Sequence, residues 1–233
     1  MSWYAKPSDA YAIDSNEAKS NMIEIYNVLK PLGFTDESIS GVIGNSYAES
    51  GLNPWRWQGD YVDYNNGYGL LQYTPATAYL DGAKDIQNYS PNLSVSSQTS
   101  GATPEDGIAQ IITFADNTLG KWIGDCWSPL WDKNEYTDLY QFSELILNSY
   151  GYGSILTLQQ FKQIDDITSA TFAFLACYER PRVPNPEPRY QNAQLAYQVI
   201  TGEQPPTPPT PPTPPTPTTK KKMPLWFYLR PYF

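Results

Sequence analysis

The stretch NSYAESGLNPWRWQGD, residues 45–60, sets one carboxylate, Glu49, between the end of an apolar helix pattern and a cluster of aromatics. Upstream, Thr35 reads as an N-cap. Asp36 and Glu37 follow in a first turn, where the helix dipole favours acids, and Ile39, Val42, Ile43 and Tyr47 recur at helical spacing. Gly51 and Pro54 stop the helix. On a wheel of about 100° per residue, Glu49 lies about 80° from Ile39, on the border between the buried face and the exterior. It also lies in the last turn, where the dipole opposes negative charge. Partial desolvation and that dipole predict a carboxyl that keeps its proton near neutral pH, which is a proton donor. The competing reading is an ordinary exposed glutamate at a fraying helix end.

Composition narrows the chemistry around this residue. The 233 residues are 40% hydrophobic, enough for a real core, only 17% charged, and 15% aromatic with 19 Tyr and 7 Trp. Rings at that density fit either a surface for sugars or other flat, weakly charged partners, or a core that relies on aromatics. A net charge of -9 argues against a nucleic-acid partner, which needs a basic footprint. Lys220, Lys221, Lys222 and Arg230, with no acid among them, give an acidic body a small basic tail. The chain has no histidine, which excludes Ser-His-Asp and Cys-His nucleophiles and His-ligated zinc. Cys126 and Cys177 cannot build a four-thiolate site. They leave open one disulfide or, because Cys177 sits in the apolar run TFAFLACYE, buried free thiols. No metal or cofactor is implied, and acid–base work falls to carboxylates and tyrosines. The N-terminal MSWYAKPSDAYAID lacks the charged lead and apolar core of a signal peptide, and no stretch approaches the length of a membrane span.

The sharpest boundary is PPTPPTPPTPPTP, residues 205–217, whose three-residue repeat favours an extended polyproline spacer. The chain divides into a domain over 1–202, with its globular part over roughly 14–202, a Pro/Thr spacer over 203–219, and a basic-aromatic tail over 220–233. The domain opens on a helix capped by Asp14 with Glu17 three residues on, followed by Ala18, Met22, Ile25 and Leu29. Asn66-Gly67 predicts a β-hairpin centred there. Helices are expected over 75–84, 105–122, 141–149, 158–164, 168–179 and 189–201, with 168–179 central because ATFAFLA is apolar on every side. The fold class is α+β, mostly α, with a small hairpin lobe.

The ES that closes the second helix, the NP that follows and the return through YGLLQYTP resemble the lysozyme-like superfamily, with the E-S and G-L-x-Q motifs of lytic transglycosylases and goose-type lysozymes. The longer pattern AESGLNPWRWQ, with CYERP near the last helices, most resembles the phage tail lysozyme domain, over roughly residues 14–200. That resemblance implies a lysozyme-like fold and cleavage of peptidoglycan. It makes Glu49 the catalytic acid, supported by Ser50. Gln72 would face the cleft beside it, and Gly69 would let sugar approach the backbone. Tyr178 and Glu179 would line the opposite wall, unless an Arg180–Glu179 pair merely pins the helix end.

An inverting enzyme needs a base about 6.5–9.5 Å from the acid and a retaining one a nucleophile at about 5–5.5 Å, whereas the resemblance to goose-type lysozymes and transglycosylases implies a site with no fixed second carboxylate. Asp60 and Asp63 are the candidates, and three-residue spacing lets at most one of them face Glu49 from a regular strand. Of Trp55, Trp57, Tyr61, Tyr64, Tyr68 and Tyr73, two or three are expected to face the cleft, Trp57 and Tyr73 among them. Trp122, Trp127 and Trp131 read as packing. The implied partners are bacterial peptidoglycan and other phage tail proteins, with action on the host wall from the virion or from host cytoplasm before lysis. The rival readings are a lytic transglycosylase on the same bond and a non-catalytic wall-binding or structural tail module.

Overall fold

The computed structural model describes residues 2–8, 13–83, 103–128, 131–137, 139–140 and 155–205. The expected helix over 141–149 and the spacer and tail lie almost wholly outside the described residues. What is described is mostly helical: α1 (Ser15–Leu29), α2 (Asp36–Ser50), α3 (Ala76–Gly82), α4 (Asp106–Ala115), α5 (Leu158–Phe161), α6 (Ile167–Phe174) and α7 (Pro186–Thr201). A π-helical turn, Leu175–Glu179, continues α6. Among the described residues no helix is long and apolar enough to cross a membrane.

The first two helices form as their sequence signals require. Asp14 and Glu17 complete a reciprocal capping box, so two backbone donors at the α1 terminus gain acceptors. Thr35 caps α2 through Ser38 N–H, and Gly51 ends it at φ 63°, a left-handed position that glycine occupies without strain.

The apolar segment after residue 168 is buried as expected, with residues 169–171 and 173–178 in the core, and α2 lies against it at the centre of the molecule. Residues 38–46 are buried without a break. Small residues make this possible: a Cβ on Gly41 would sit 2.7 Å from the Ala170 carbonyl carbon, and one on Gly44 2.5 Å from Arg189 O. α6 and α7 therefore pack backbone to backbone on α2. Around them, Phe114 meets Phe34, Phe161, Phe174 and Tyr178 at ring separations of 5.0–6.4 Å, including 5.9 Å to Phe34, 6.4 Å to Phe161 and 5.0 Å to Phe174. Trp122 and Trp131 are buried, and Trp127 is partly so.

The expected hairpin takes another form. Antiparallel pairing among the described residues is limited to single bridges, Trp57 with Tyr68 and Tyr68 with Tyr73. The tight return is made by Gly69-Leu70-Leu71-Gln72, closed by Tyr68 N–H to Tyr73 O at 3.2 Å and Tyr73 N–H to Tyr68 O at 2.9 Å. Gly67 is not in the left-handed region that the Asn-Gly turn needs. It is small because Gln72 packs on it, a Cβ there falling 2.8 Å from Gln72 Oε1.

The N-terminal residues belong to the body instead of preceding it. Trp3 is buried against Gly107. Tyr4 and Lys6 exchange backbone hydrogen bonds with the Asn21 and Asn53 side chains. The Ser8 hydroxyl accepts from Trp57 N–H and lies 3.1 Å from Asp60 Oδ1. α4 stops at Ala115, short of the expected residue 122, because Asn117 at φ 51° and Gly120 at φ 62° turn the chain left-handed. That early stop brings Lys121 to the site.

Candidate active site

Glu49 is in the last turn of α2, its side chain 19% exposed and ion-paired at 2.5 Å to Arg189 Nη2. Arg189 stands on the first turn of α7, buried to 5%. Its other nitrogens donate to Asn45 Oδ1 at 3.1 Å and Pro184 O at 3.0 Å. Asn45 in turn donates to Gly41 O and Thr171 O, so one amide ties α2, α6 and the arginine together.

Ser50 does not touch Glu49 through any hydrogen bond of its hydroxyl, which lies 2.9 Å from Ser46 O and 3.0 Å from Leu70 O. It thereby holds the Gly69–Gln72 turn against the end of α2 and joins the two motifs in space. Gln72, at φ 43°, donates from Nε2 to Gly69 O at 2.9 Å and Arg56 O at 3.2 Å. Gly69, at φ 82°, faces inward, where a side chain would strike the Gln110 carboxamide. That carboxamide accepts from Leu70 N–H at 2.6 Å and donates to Pro54 O at 2.8 Å and Asp106 Oδ2 at 2.7 Å.

The opposite wall is the π-turn. Arg180 N–H donates to Leu175 O, five residues back, and the widened turn delivers Tyr178 and Glu179 together. Arg180 spends Nη2 on Asp125 O at 2.7 Å, and the alternative pairing with Glu179 is not made. Lys121 lies 5.1 Å from the Tyr73 ring centroid and 5.3 Å from that of Tyr178. Burial pulls its ammonium down, against the pull upward of Glu179 and Glu49. Burial first, then the charge of Glu49, pushes Glu179 up to about 8, with Lys121 and Arg189 opposing.

These walls enclose a groove of about 720 Å³, within the range of about 300–1,000 Å³ usual for ligand sites. Glu49, Gln72, Tyr178 and Glu179 line it, so residues from three separate segments meet. Arg56, Lys121, Arg180 and Arg182 also line it, and sequence reasoning assigned none of them to the site. The other candidates lie elsewhere. Trp57 and Tyr73 are core residues at 2% and 0% exposure, and Tyr73 stacks on Tyr79 at 5.0 Å. None of the six rings near the bridges lines the groove; Tyr178 is its aromatic wall. Asp60 pairs with Arg56 at 2.8 Å, and Asp63 accepts from Asn65 N–H and Asn66 Nδ2 within its own turn.

A mostly helical domain with two glutamates lining one groove is consistent with the α-rich, lysozyme-like class of proteins. The sequence model of the phage tail lysozyme family matches residues 20–200, and the chain belongs to that family. It is also similar to morphogenesis protein 1 of Bacillus phage B103, 29% identical over 203 residues that cover 86% of this chain and 44% of that protein. The chain thus spans less than half the length of that relative.

Proposed function

We propose that this chain is a peptidoglycan glycosidase that cuts the β-1,4 bond between N-acetylmuramic acid and N-acetylglucosamine, carried on a phage tail to open the host wall. The observation that carries the reading is the meeting of Glu49, Gln72, Tyr178 and Glu179 around one groove of sugar-binding size. The family model supports the peptidoglycan context, and the relative's name, a morphogenesis protein, supports a place in the virion.

Chemically the site offers what glycoside cleavage requires. Two carboxyls line the groove and are available for acid–base work, and Gln72 lines it as a polar group for sugar hydroxyls and acetamido groups.

Purified cell walls incubated with wild type and Glu49→Gln test the reading. Wild type is expected to clear the suspension and release new reducing ends, and the variant to be slower by at least about a hundredfold. Equal clearing by both leaves no role for Glu49, and clearing by neither removes the glycosidase and favours a non-catalytic wall-binding or structural tail module. Mass spectrometry of anhydro-muramyl ends would replace hydrolysis with transglycosylation.

A further inference from the structure

Charge in the groove runs against charge in the chain. The chain is net -9 and has five arginines, of which Arg230 lies in the tail. The other four converge on the site: Arg189 pairs with Glu49, and Arg56, Arg180 and Arg182 line the groove beside Lys121. Both carboxyls of the groove have cations of their own. Glu49 has Arg189 at 2.5 Å, and the cations that act on Glu179 are Lys121 and Arg189. Arg56, Arg180 and Arg182 are therefore surplus to the acids of the site.

Each of the three is loosely or incompletely engaged. Arg56 meets Asp60 at 2.8 Å, with the side chains 33% and 46% exposed, and an ion pair so open to water is readily exchanged for a ligand. Arg180 gives Nη2 to Asp125 O at 2.7 Å, and its Nε has no partner among the described residues. Arg182 is exposed and makes neither an ion pair nor a hydrogen bond among the described residues. Their placement spans the groove. The Arg56 carbonyl accepts from Gly69 N–H at 2.7 Å and from Gln72 Nε2 at 3.2 Å, which ties Arg56 to the wall that carries Gln72. Arg180 and Arg182 follow Glu179 on the π-turn side. A cleft with cations on both walls concentrates their field on whatever enters it.

The planar fork of arginine matches a carboxylate or a phosphate. Along a peptidoglycan strand the acetylated sugar rings are uncharged, and the carboxylates sit on the peptide joined to muramic acid. We propose that Arg56, Arg180 and Arg182 form a carboxylate-binding rim that takes this acidic peptide stem. The site then selects muramyl residues that still carry their peptide over bare glycan. This rests on the glycosidase reading and deepens it by naming the form of the substrate. The stem is favoured over the phosphodiester polymers of a wall because it hangs from the sugar whose bond the groove would hold.

The test reads binding without turnover. Calorimetry on the full chain compares three forms of the released disaccharide: with its tetrapeptide, with the tetrapeptide carboxyls methylamidated, and with no peptide, where the lactyl carboxylate alone remains. The native peptide form should bind about tenfold tighter than either of the others, and about 1 M salt should narrow the gap. Arg182→Gln breaks no contact among the described residues and should narrow it about threefold with melting unchanged. The amidated ligand decides even if the variant does not fold. Equal binding of the native and amidated forms overturns the rim and leaves the glycosidase standing. Binding of the peptide-free form as tightly as the native one assigns the rim to the lactyl group, and tighter binding of glycerol phosphate assigns it to a phosphodiester polymer; either overturns the stem. A protein that shows the preference and yet cleaves no wall keeps the rim and loses the glycosidase.

Discussion

At the scale of single residues, an arginine 140 positions from Glu49 changes what that glutamate can be. The helix wheel and the E-S motif were enough to single out Glu49 and its half-buried setting. They could not show Arg189, although a signal exists: Ala193, Ala196 and Tyr197 form the buried face of α7, and Arg189 lies one turn earlier on the same face. Asp60 and Asp63 misled because alternation assumes a regular strand. The chain there makes a tight turn instead, with Gly59 at φ 77° and Asp60 at φ 64°. Glu179 carries the clearest consequence at this scale. Folded, it keeps its proton to about pH 8; unfolded, it ionises near its ordinary 4.5. Between those values the unfolded chain binds fewer protons than the folded one, so stability falls as pH rises from about 4.5 towards 8 and is level beyond. Allowing for partial exposure, this loss is on the order of 2–4 kcal/mol. Glu179→Gln should remove that slope, so that urea unfolding finds the variant gaining on wild type between pH 5 and pH 8. Equal slopes in the two proteins would mean that Glu179 ionises normally.

At the scale of elements, apolar periodicity located α1, α2, α3, α6 and α7, and it erred where a small residue served packing instead of a turn. Gly67 accommodates Gln72, which no local pattern announces, and the tight return moved to Gly69–Gln72. Likewise the run through residue 179 read as one helix, whereas Leu175–Glu179 widens into a π-turn that aims two consecutive side chains at the groove. In α2 the meaning of Gly41 and Gly44 is visible only once α6 and α7 lie on them. Alanine is the better helix former by about 1 kcal/mol, so local propensity alone predicts that Gly44→Ala stabilises. Here the added methyl would meet Arg189 O at 2.5 Å and Ala193 N at 2.7 Å, backbone that cannot swing aside. Overpacking of this kind costs about 1–3 kcal/mol, more where backbone must move, and it should win. Gly44→Ala is expected to lower unfolding stability by about 1–2 kcal/mol and to cut turnover, because the displaced strand of contacts carries the partner of Glu49. A gain in stability would show that α7 is looser on α2 than the geometry states.

At the scale of the whole molecule, the groove exists because distant segments are tied to the central helix, and the ties are side chains buried between elements. Asp106 accepts from Tyr79 OH at 2.8 Å and Gln110 Nε2 at 2.7 Å and anchors the turn that carries Gln72. Cys126 and Cys177, both buried, stand with sulfurs 3.4 Å apart and join the Lys121 segment to the π-turn as free thiols. Burial pushes the Cys177 thiol well up, which leaves it inert. The N-terminal strap is the least expected of these ties, since its sequence shows no periodicity and its only strong apolar signals are Trp3 and Tyr4. It works through backbone hydrogen bonds to Asn21 and Asn53 and through one large ring, Trp3, 5% exposed over Gly107 at the start of α4. Because Ser8 also holds Trp57 N–H beside Asp60, the strap braces the segment that carries Arg56, Gln58 and Gly59 to the groove. Trp3→Ala should therefore cost about 3–5 kcal/mol, as for other buried rings, with glycine at 107 leaving the cavity unfilled. Removing residues 1–8 should lower the melting temperature further and reduce turnover. If the shortened chain melts and cleaves like the full one, the strap is an ornament and the groove is built by the helices alone.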